Sequence, residues 1–132
     1  MPPLFLTLKE LLEIHRDQVE HYGGESGLRD MDLLQSALAM PAAGLGGRHL
    51  HTDLFEMAAA YLFHLVQNHP FLDGNKRTGA VAALVFLALN NVTIKADEDD
   101  YELLVLDVAR GKADKPVIAE FFRKHSKPLS AR

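Results

Sequence analysis

Cysteine and tryptophan are absent from this chain of 132 residues, and 18 acidic side chains outnumber 14 lysines and arginines. Without cysteine there is no disulfide framework, no thiolate zinc site and no thiol nucleophile, and a reducing cytoplasm is the expected compartment. A formal net charge of −4 suits nonspecific binding to a phosphate backbone poorly, so no direct nucleic-acid partner is expected. The opening Met1-Pro-Pro-Leu-Phe-Leu-Thr7 lacks the basic start and small-residue cleavage site of a secretory leader. No apolar run is long enough to cross a bilayer, so no membrane partner is expected. Ala80 to Leu89 (AVAALVFLAL) holds ten apolar residues, about half of the roughly 20 that a crossing needs. Between Asn75-Lys-Arg77 and Asn90-Asn91, it reads as a helix buried on all sides of a soluble domain.

What is present is globular. Hydrophobic residues make up 48% and charged residues 24%, a balance that excludes disorder, collagen-like repeats and coiled coil. The length fits a single domain over residues 1–132. Thr7-Leu-Lys-Glu10 is a capping box, and Leu8, Leu11, Leu12, His15, Val19 and Tyr22 recur at helical spacing until Gly23-Gly24. Asp30 caps a second helix that ends before Pro41. Ala42 to His51 is a glycine-bearing loop or short hairpin. Asp53-Leu-Phe-Glu56 offers another capping box, opening a long helix that His69-Pro70 ends. The apolar helix follows from about Lys76 to Leu89. Val92 to Lys95 is the only plausible strand, Asp97 to Asp100 caps a helix through Val108, and Asp114-Lys-Pro116 opens a last one. The basic tail, about 125–132, is expected to fray. The fold class is all-α.

One segment stands apart: His69-Pro-Phe-Leu-Asp73-Gly-Asn-Lys-Arg77-Thr-Gly79. A helix N-terminus offers unpaired N–H groups and about half a positive charge, which attract anions, phosphates above all. Gly74 permits close backbone approach, and Lys76 and Arg77 add cations. Asp73 is badly placed for a phosphate unless a divalent cation lies between, as in Mg²⁺ sites with nucleotides. His69 has the pKa range to take a proton from a hydroxyl. Each residue alone could be a cap or a solvated charge. Capping, however, does not explain two cations at the positive end of a helix, whereas a bound anion does.

The pattern His69-x-Phe71-x-Asp73-Gly74-Asn75-x-Arg77 resembles the signature of the Fic/Doc (Fido) family, in the form of its Doc, or death-on-curing, branch. Gly27-Leu-Arg-Asp30, Leu33-Leu34, Ser36-Ala37-Leu38-Ala39 and Pro41 also resemble the upstream segment of Doc-like toxins. The resemblance implies a compact Fido-type helical bundle with a buried central helix and a short flap. It implies ATP as substrate and Mg²⁺ as cofactor. His69 would activate a protein hydroxyl, Phe71 would fix the loop, and Asp73 would hold Mg²⁺. Gly74 and the following N–H groups, Lys76 included, would form the anion hole. Asn75 would steady the motif, Arg77 would pair with phosphates, and Pro41 to His51 would be the flap that aligns a substrate strand.

Two positions depart from the Fic adenylyltransferase pattern, which carries Gly-Arg after the asparagine and a second arginine three residues on. Here those places hold Lys76 and Ala80. Lysine crowds the nest and alanine supplies no counter-charge. In Doc proteins the lysine-bearing pattern goes with an inverted nucleotide presenting its γ-phosphate. The implied activity is a toxin kinase acting on a threonine of elongation factor Tu, halting translation. AMP or other NMP transfer to a protein hydroxyl, and a non-catalytic nucleotide- or partner-binding module, stay open as alternatives. The nearest match to the self-restraint pattern of Fic proteins, Thr52-x-x-x-Glu56, is followed by Met57 and is explained as a helix start. Restraint is therefore expected from a Phd-like antitoxin. Of the remaining polar groups, His15 reads as a packing histidine, His49-x-His51 as loop polarity without further metal ligands, and Asp97 to Asp100 as a solvated cap.

Overall fold

The computed structural model describes residues 2–45 and 47–129. Six α-helices carry the described chain: α1 (Leu8–Tyr22), α2 (Met31–Ala39), α3 (Leu54–Asn68), α4 (Asn75–Leu89), α5 (Glu98–Ala109) and α6 (Lys115–His125). Four short strands pair in two antiparallel sheets, β1 (Gly44–Leu45) with β2 (Arg48–His49) and β3 (Val92–Ile94) with β4 (Ser126–Pro128). The all-α expectation holds. Among the described residues no helix is long and apolar enough to cross a membrane.

Most helix starts follow the sequence signals. Thr7 and Glu10 form the reciprocal capping box, at 3.1 and 2.8 Å. Asp30, Asp53, Asp97 and Asp114 each accept from the first turn that follows. The box expected at Asp53 is only half made. Glu56 turns its carboxylate back to the Thr52 N–H and hydroxyl, at 3.0 and 3.1 Å.

α3 and α4 pack antiparallel at the centre. Gly79 lets the two backbones approach, because a Cβ there would lie 3.3 Å from the carbonyl oxygen of Leu62 and 3.1 Å from Val66. Tyr61, Leu62, Leu65, Ala82, Ala83, Phe86 and Leu87 fill the seam, joined by Leu11 from α1, Leu34 from α2, Val108 from α5 and Phe122 from α6. α4 is not buried on all sides. Thr78, Gly79, Ala82, Ala83, Phe86 and Leu87 face inward, while Ala80, Val81, Leu84 and Val85 are half-buried and Leu89 is exposed. Its unbroken apolar run hides an ordinary two-sided helix.

The tail also differs from expectation. A lone strand leaves half its backbone groups without partners, and β4 supplies them to β3, pairing Val92 with Pro128 and Ile94 with Ser126. The frayed tail is thus ordered through Leu129, whose N–H donates to Asn91 at 3.0 Å; residues 130–132 lie outside the described residues.

Candidate functional site

The turn between α3 and α4 begins where α3 runs out. Pro70 removes the next donor, and His69 closes the helix in the left-handed region, φ 52° and ψ 53°. Phe71 then plunges into the core, only 1% exposed. Asn75 holds it there: its Oδ1 accepts from the Phe71 N–H at 2.9 Å and its Nδ2 donates to the Phe71 carbonyl at 3.0 Å. The Asn75 amide is thereby committed inward and steadies the turn from behind.

Gly74 caps α4 at φ 78° and ψ 17°, with no side-chain cap. The left-handed value is one that glycine adopts freely. The first helical bond runs from the Thr78 N–H to the Gly74 carbonyl at 2.9 Å, and the N–H groups of Asn75, Lys76 and Arg77 find no acceptor among the described residues. Asp73 does not cap them. Its Oδ2 instead accepts from the Glu25 N–H at 3.1 Å, which excludes the simplest structural account of that carboxylate. Left-handed glycine followed by helical residues makes a concave row of amides suited to an anion.

His69, Asp73, Lys76 and Arg77 are all exposed on this one turn. Arg77 lies over the Tyr22 ring, 4.9 Å from its centroid. Lys76, Arg77 and Ala80 also border a groove of about 520 Å³ between α4 and α5, whose far wall includes Asp99, Glu102, Leu103 and Leu106. The Tyr101 hydroxyl donates to the Ala80 carbonyl at 2.7 Å and ties α5 to α4 there. His69 and Asp73 lie outside that groove. The two departures from the adenylyltransferase pattern thus share one wall, a helical turn apart.

Three contributors were not linked to the turn from the sequence, although His15 is the packing histidine that was expected. The segment Gly24 to Asp30 runs along the turn: Leu28 bridges Phe71, the Leu72 N–H donates to Gly27 at 3.1 Å, and a Cβ on Gly24 would meet Asp73 at 3.2 Å. Arg29 donates to the carbonyls that end α3. His15 is buried, stacked on Phe71, and bonded to the Asp73 carbonyl at 2.8 Å. The signal available for the first two was the resemblance at Gly27 to Asp30.

The expected flap is misplaced. The hairpin does form within 41–51, but it precedes α3, whereas His69 ends α3, 15 residues on, which is about 22 Å at 1.5 Å per residue. Its His49 ring lies 5.7 Å from Phe5, and Arg48 and His49 line a groove with Leu89 and Asn90, at the far end of α4. The main chain beside the motif is Gly24 to Asp30.

The perturbed histidines also lie elsewhere. Burial, with Lys115 and His51 beside it, pushes His64 down to about 4, and burial followed by Lys115 lowers His51. Lys115 Nζ donates to His64 Nε2 at 3.2 Å. His49 and His51 gain no further ligands: among the described residues no group of three or more His, Asp or Glu could hold a metal ion.

Residues 5–87 match the model of the Fic/DOC family. The chain is 42% identical over 100 residues to the Toxin Doc of Mycolicibacterium smegmatis, covering 74% of this chain and 77% of that one. It is 31% identical over 119 residues to the Protein kinase doc of Escherichia phage P1, covering 90% and 93%. An uncapped, glycine-led helix start carrying the family's motif, with likeness on that scale around it, places the chain in the Fic/DOC family, on its Doc branch.

Proposed function

We propose that this chain is a Doc-like toxin of a toxin–antitoxin module, which transfers the γ-phosphate of ATP to a threonine or serine hydroxyl of a translation factor. Elongation factor Tu is the target by family resemblance, translation stops as a result, and the setting is cytoplasmic. The observation that carries this reading is the start of α4, where three amide N–H groups stand open beside two cationic side chains. The names of the two relatives, a toxin and a protein kinase, support it.

In the proposed step the hydroxyl oxygen attacks the γ-phosphorus. The new O–P bond forms as the bond to the β,γ-bridging oxygen breaks, ADP leaves, and the hydroxyl proton passes to the His69 imidazole. Most of the rate comes from holding the phosphates in place and neutralising their charge. The open amides of Asn75, Lys76 and Arg77 supply fixed dipoles, and the Lys76 and Arg77 side chains supply charge. Asp73 would hold Mg²⁺. Its exposed carboxylate, with no hydrogen bond to Oδ1 among the described residues, fits an ion that takes one or two carboxylates and completes its shell with phosphate and water. Such an ion, when bound, would neutralise charge on the phosphates.

Control by a separate Phd-like antitoxin fits the same picture. Glu56, the nearest candidate for internal restraint, is tied to Thr52 in the first turn of α3, about 20 Å of helix from His69.

The deciding experiment incubates the chain with purified elongation factor Tu and ATP labelled at either the α or the γ position. Transfer of γ label alone, lost in His69→Ala, is the expected result. Transfer of α label would establish the runner-up, AMP transfer. ATP binding with no label on elongation factor Tu, or on any protein of a cell lysate incubated in parallel, would leave a binding module.

A further inference from the structure

We infer that His15, a residue of α1 outside the motif, is a positioning residue that sets the polarity of the phosphate site by fixing the Asp73–Gly74 peptide. The inference rests on reading the start of α4 as a phosphate site.

A trans peptide is planar, and its C=O and N–H point in opposite directions. His15 Nε2 lies 2.8 Å from the Asp73 carbonyl oxygen. A carbonyl only accepts, so Nε2 carries the proton and donates. The oxygen of this peptide is therefore drawn toward α1, and the Gly74 N–H, which belongs to the same plane, is sent the other way. That N–H finds no acceptor among the described residues, so it adds a donor ahead of Asn75, Lys76 and Arg77. Row polarity is what makes such a concavity anion-binding.

Glycine at position 74 is what makes a lock necessary. At φ 78° it adopts the left-handed conformation freely, but it adopts the opposite sign of φ about as readily. A flip of the Asp73–Gly74 peptide would turn a carbonyl oxygen toward the phosphates. The α4 ladder does not resist this, because its first bond uses the Gly74 carbonyl and not the Gly74 N–H. His15 resists it. The imidazole is 5% exposed and lies face to face with Phe71, centroids 3.7 Å apart and planes 6° apart. Phe71 is itself held at both backbone groups by Asn75. The donor is thus clamped by the turn that it orients.

The test separates the ring from its donor. His15→Phe keeps the stacking partner and removes the N–H. His15→Gln gives up the ring but brings an amide nitrogen close to the place of Nε2. Full-length chains labelled with ¹⁵N are titrated with inorganic phosphate and then ATP, following the Gly74 amide signal, while thermal unfolding reports stability. In the unmodified chain the Gly74 signal moves on titration. His15→Phe loses that response and binds ATP about tenfold more weakly, the scale of one charge-assisted contact, and His15→Gln stays within about twofold. A His15→Phe chain that binds and responds normally overturns the inference, as does a Gly74 signal in the unmodified chain that ignores both ligands. Should His15→Phe not fold, His15→Gln is compared with His15→Asn, whose amide is one methylene too short. Equal binding by those two overturns the inference, and weak binding by His15→Asn alone supports it. If the Gly74 response depends on His15 but no phosphate reaches a protein, the catalytic reading fails and this inference stands.

Discussion

Arg29 donates from Nε to the carbonyl of His69 at 2.6 Å and from Nη2 to that of Asn68 at 2.9 Å. A cation therefore sits at the negative end of α3, where the last carbonyls lack helical partners. The same segment adds the Arg29 and Asp30 N–H groups, both bonded to the Pro70 carbonyl, at 2.7 and 3.0 Å. His69 needs such support, because a left-handed conformation in a residue with a Cβ costs roughly 1–2 kcal/mol.

Arg29→Ala is expected to lower stability only by about 1 kcal/mol, since the side chain is exposed, yet to reduce phosphotransfer severalfold by loosening His69. Arg29→Lys, which cannot reproduce the two-pronged geometry, should fall between. Urea denaturation and transfer rates measured well below the melting temperature separate the two effects. An unchanged rate in Arg29→Ala would show that His69 needs no hold from this side.

The motif was legible because its chemistry is local: nine residues bring histidine, carboxylate, amide and cations into one turn. The capping box at Thr7 was legible for the same reason. His15 and Arg29 were not, because their partners lie 58 and 40 residues away, and helical periodicity assigns a buried histidine to packing without saying on what. Turn composition located the hairpin around Gly44 to His49, and chain order set it at the start of α3, away from His69; its assignment as the flap came from the resemblance and not from that order. By local pattern the residues beside the motif, Gly24 to Asp30, were the end of one helix and the start of another; the resemblance at Gly27 to Asp30 marked them without saying that they lie against the turn. Ser126 to Pro128 carried no strand signal of its own; it is a strand because β3 needs a partner. The ten-residue apolar run was overread, since unbroken apolarity sets what a helix can bury and not what its neighbours cover.

Gly79→Val should be among the more damaging changes outside the turn. The new side chain would start 3.3 Å from the Leu62 carbonyl oxygen and 3.1 Å from Val66 Cγ2, and a helix backbone gives way less easily than a side chain. Overpacking of this kind costs about 1–3 kcal/mol, more than the few tenths of a kcal/mol by which valine exceeds glycine in helix propensity. A fall in the chemical-denaturation midpoint with an unchanged slope is expected; a gain would show that α3 and α4 can separate freely.

Stability should decline on mild acidification through His64. Its folded-state value, about 4, lies below the ordinary 6.5, so the folded chain keeps it neutral while the unfolded chain binds a proton. Its contribution is complete above pH 6.5 and is lost as pH falls toward about 4. His51, lowered mainly by burial, acts in the same direction. His64→Gln keeps an acceptor for Lys115 without titrating, and its stability between pH 5 and 6.5 should vary less than that of the unmodified chain. Parallel curves would mean that His64 takes up its proton equally in both states.

Lys76 and Ala80 sit one helical turn apart on the same groove wall, at the positions where the adenylyltransferase pattern has glycine and arginine. If nucleotide orientation is decided there, Lys76→Gly combined with Ala80→Arg should alter the product and not merely the rate. Removing the lysine opens space over the amides, and adding the arginine puts a cation deeper along α4, so the phosphate tail would be drawn further in. Asp99 and Glu102 on the facing wall would partly neutralise that cation, and the change is expected to be incomplete. The double variant should transfer γ label at least about tenfold more slowly, a loss of about 1.4 kcal/mol in transition-state stabilisation, and should begin to transfer α label. Both isotopes are followed in parallel on the same acceptor, and each single variant is run beside the double. Loss of γ transfer without any α transfer would show that the groove binds the nucleotide but does not choose its direction. Undiminished γ transfer would remove Lys76 and Ala80 from the account of nucleotide orientation and leave that choice to the turn itself.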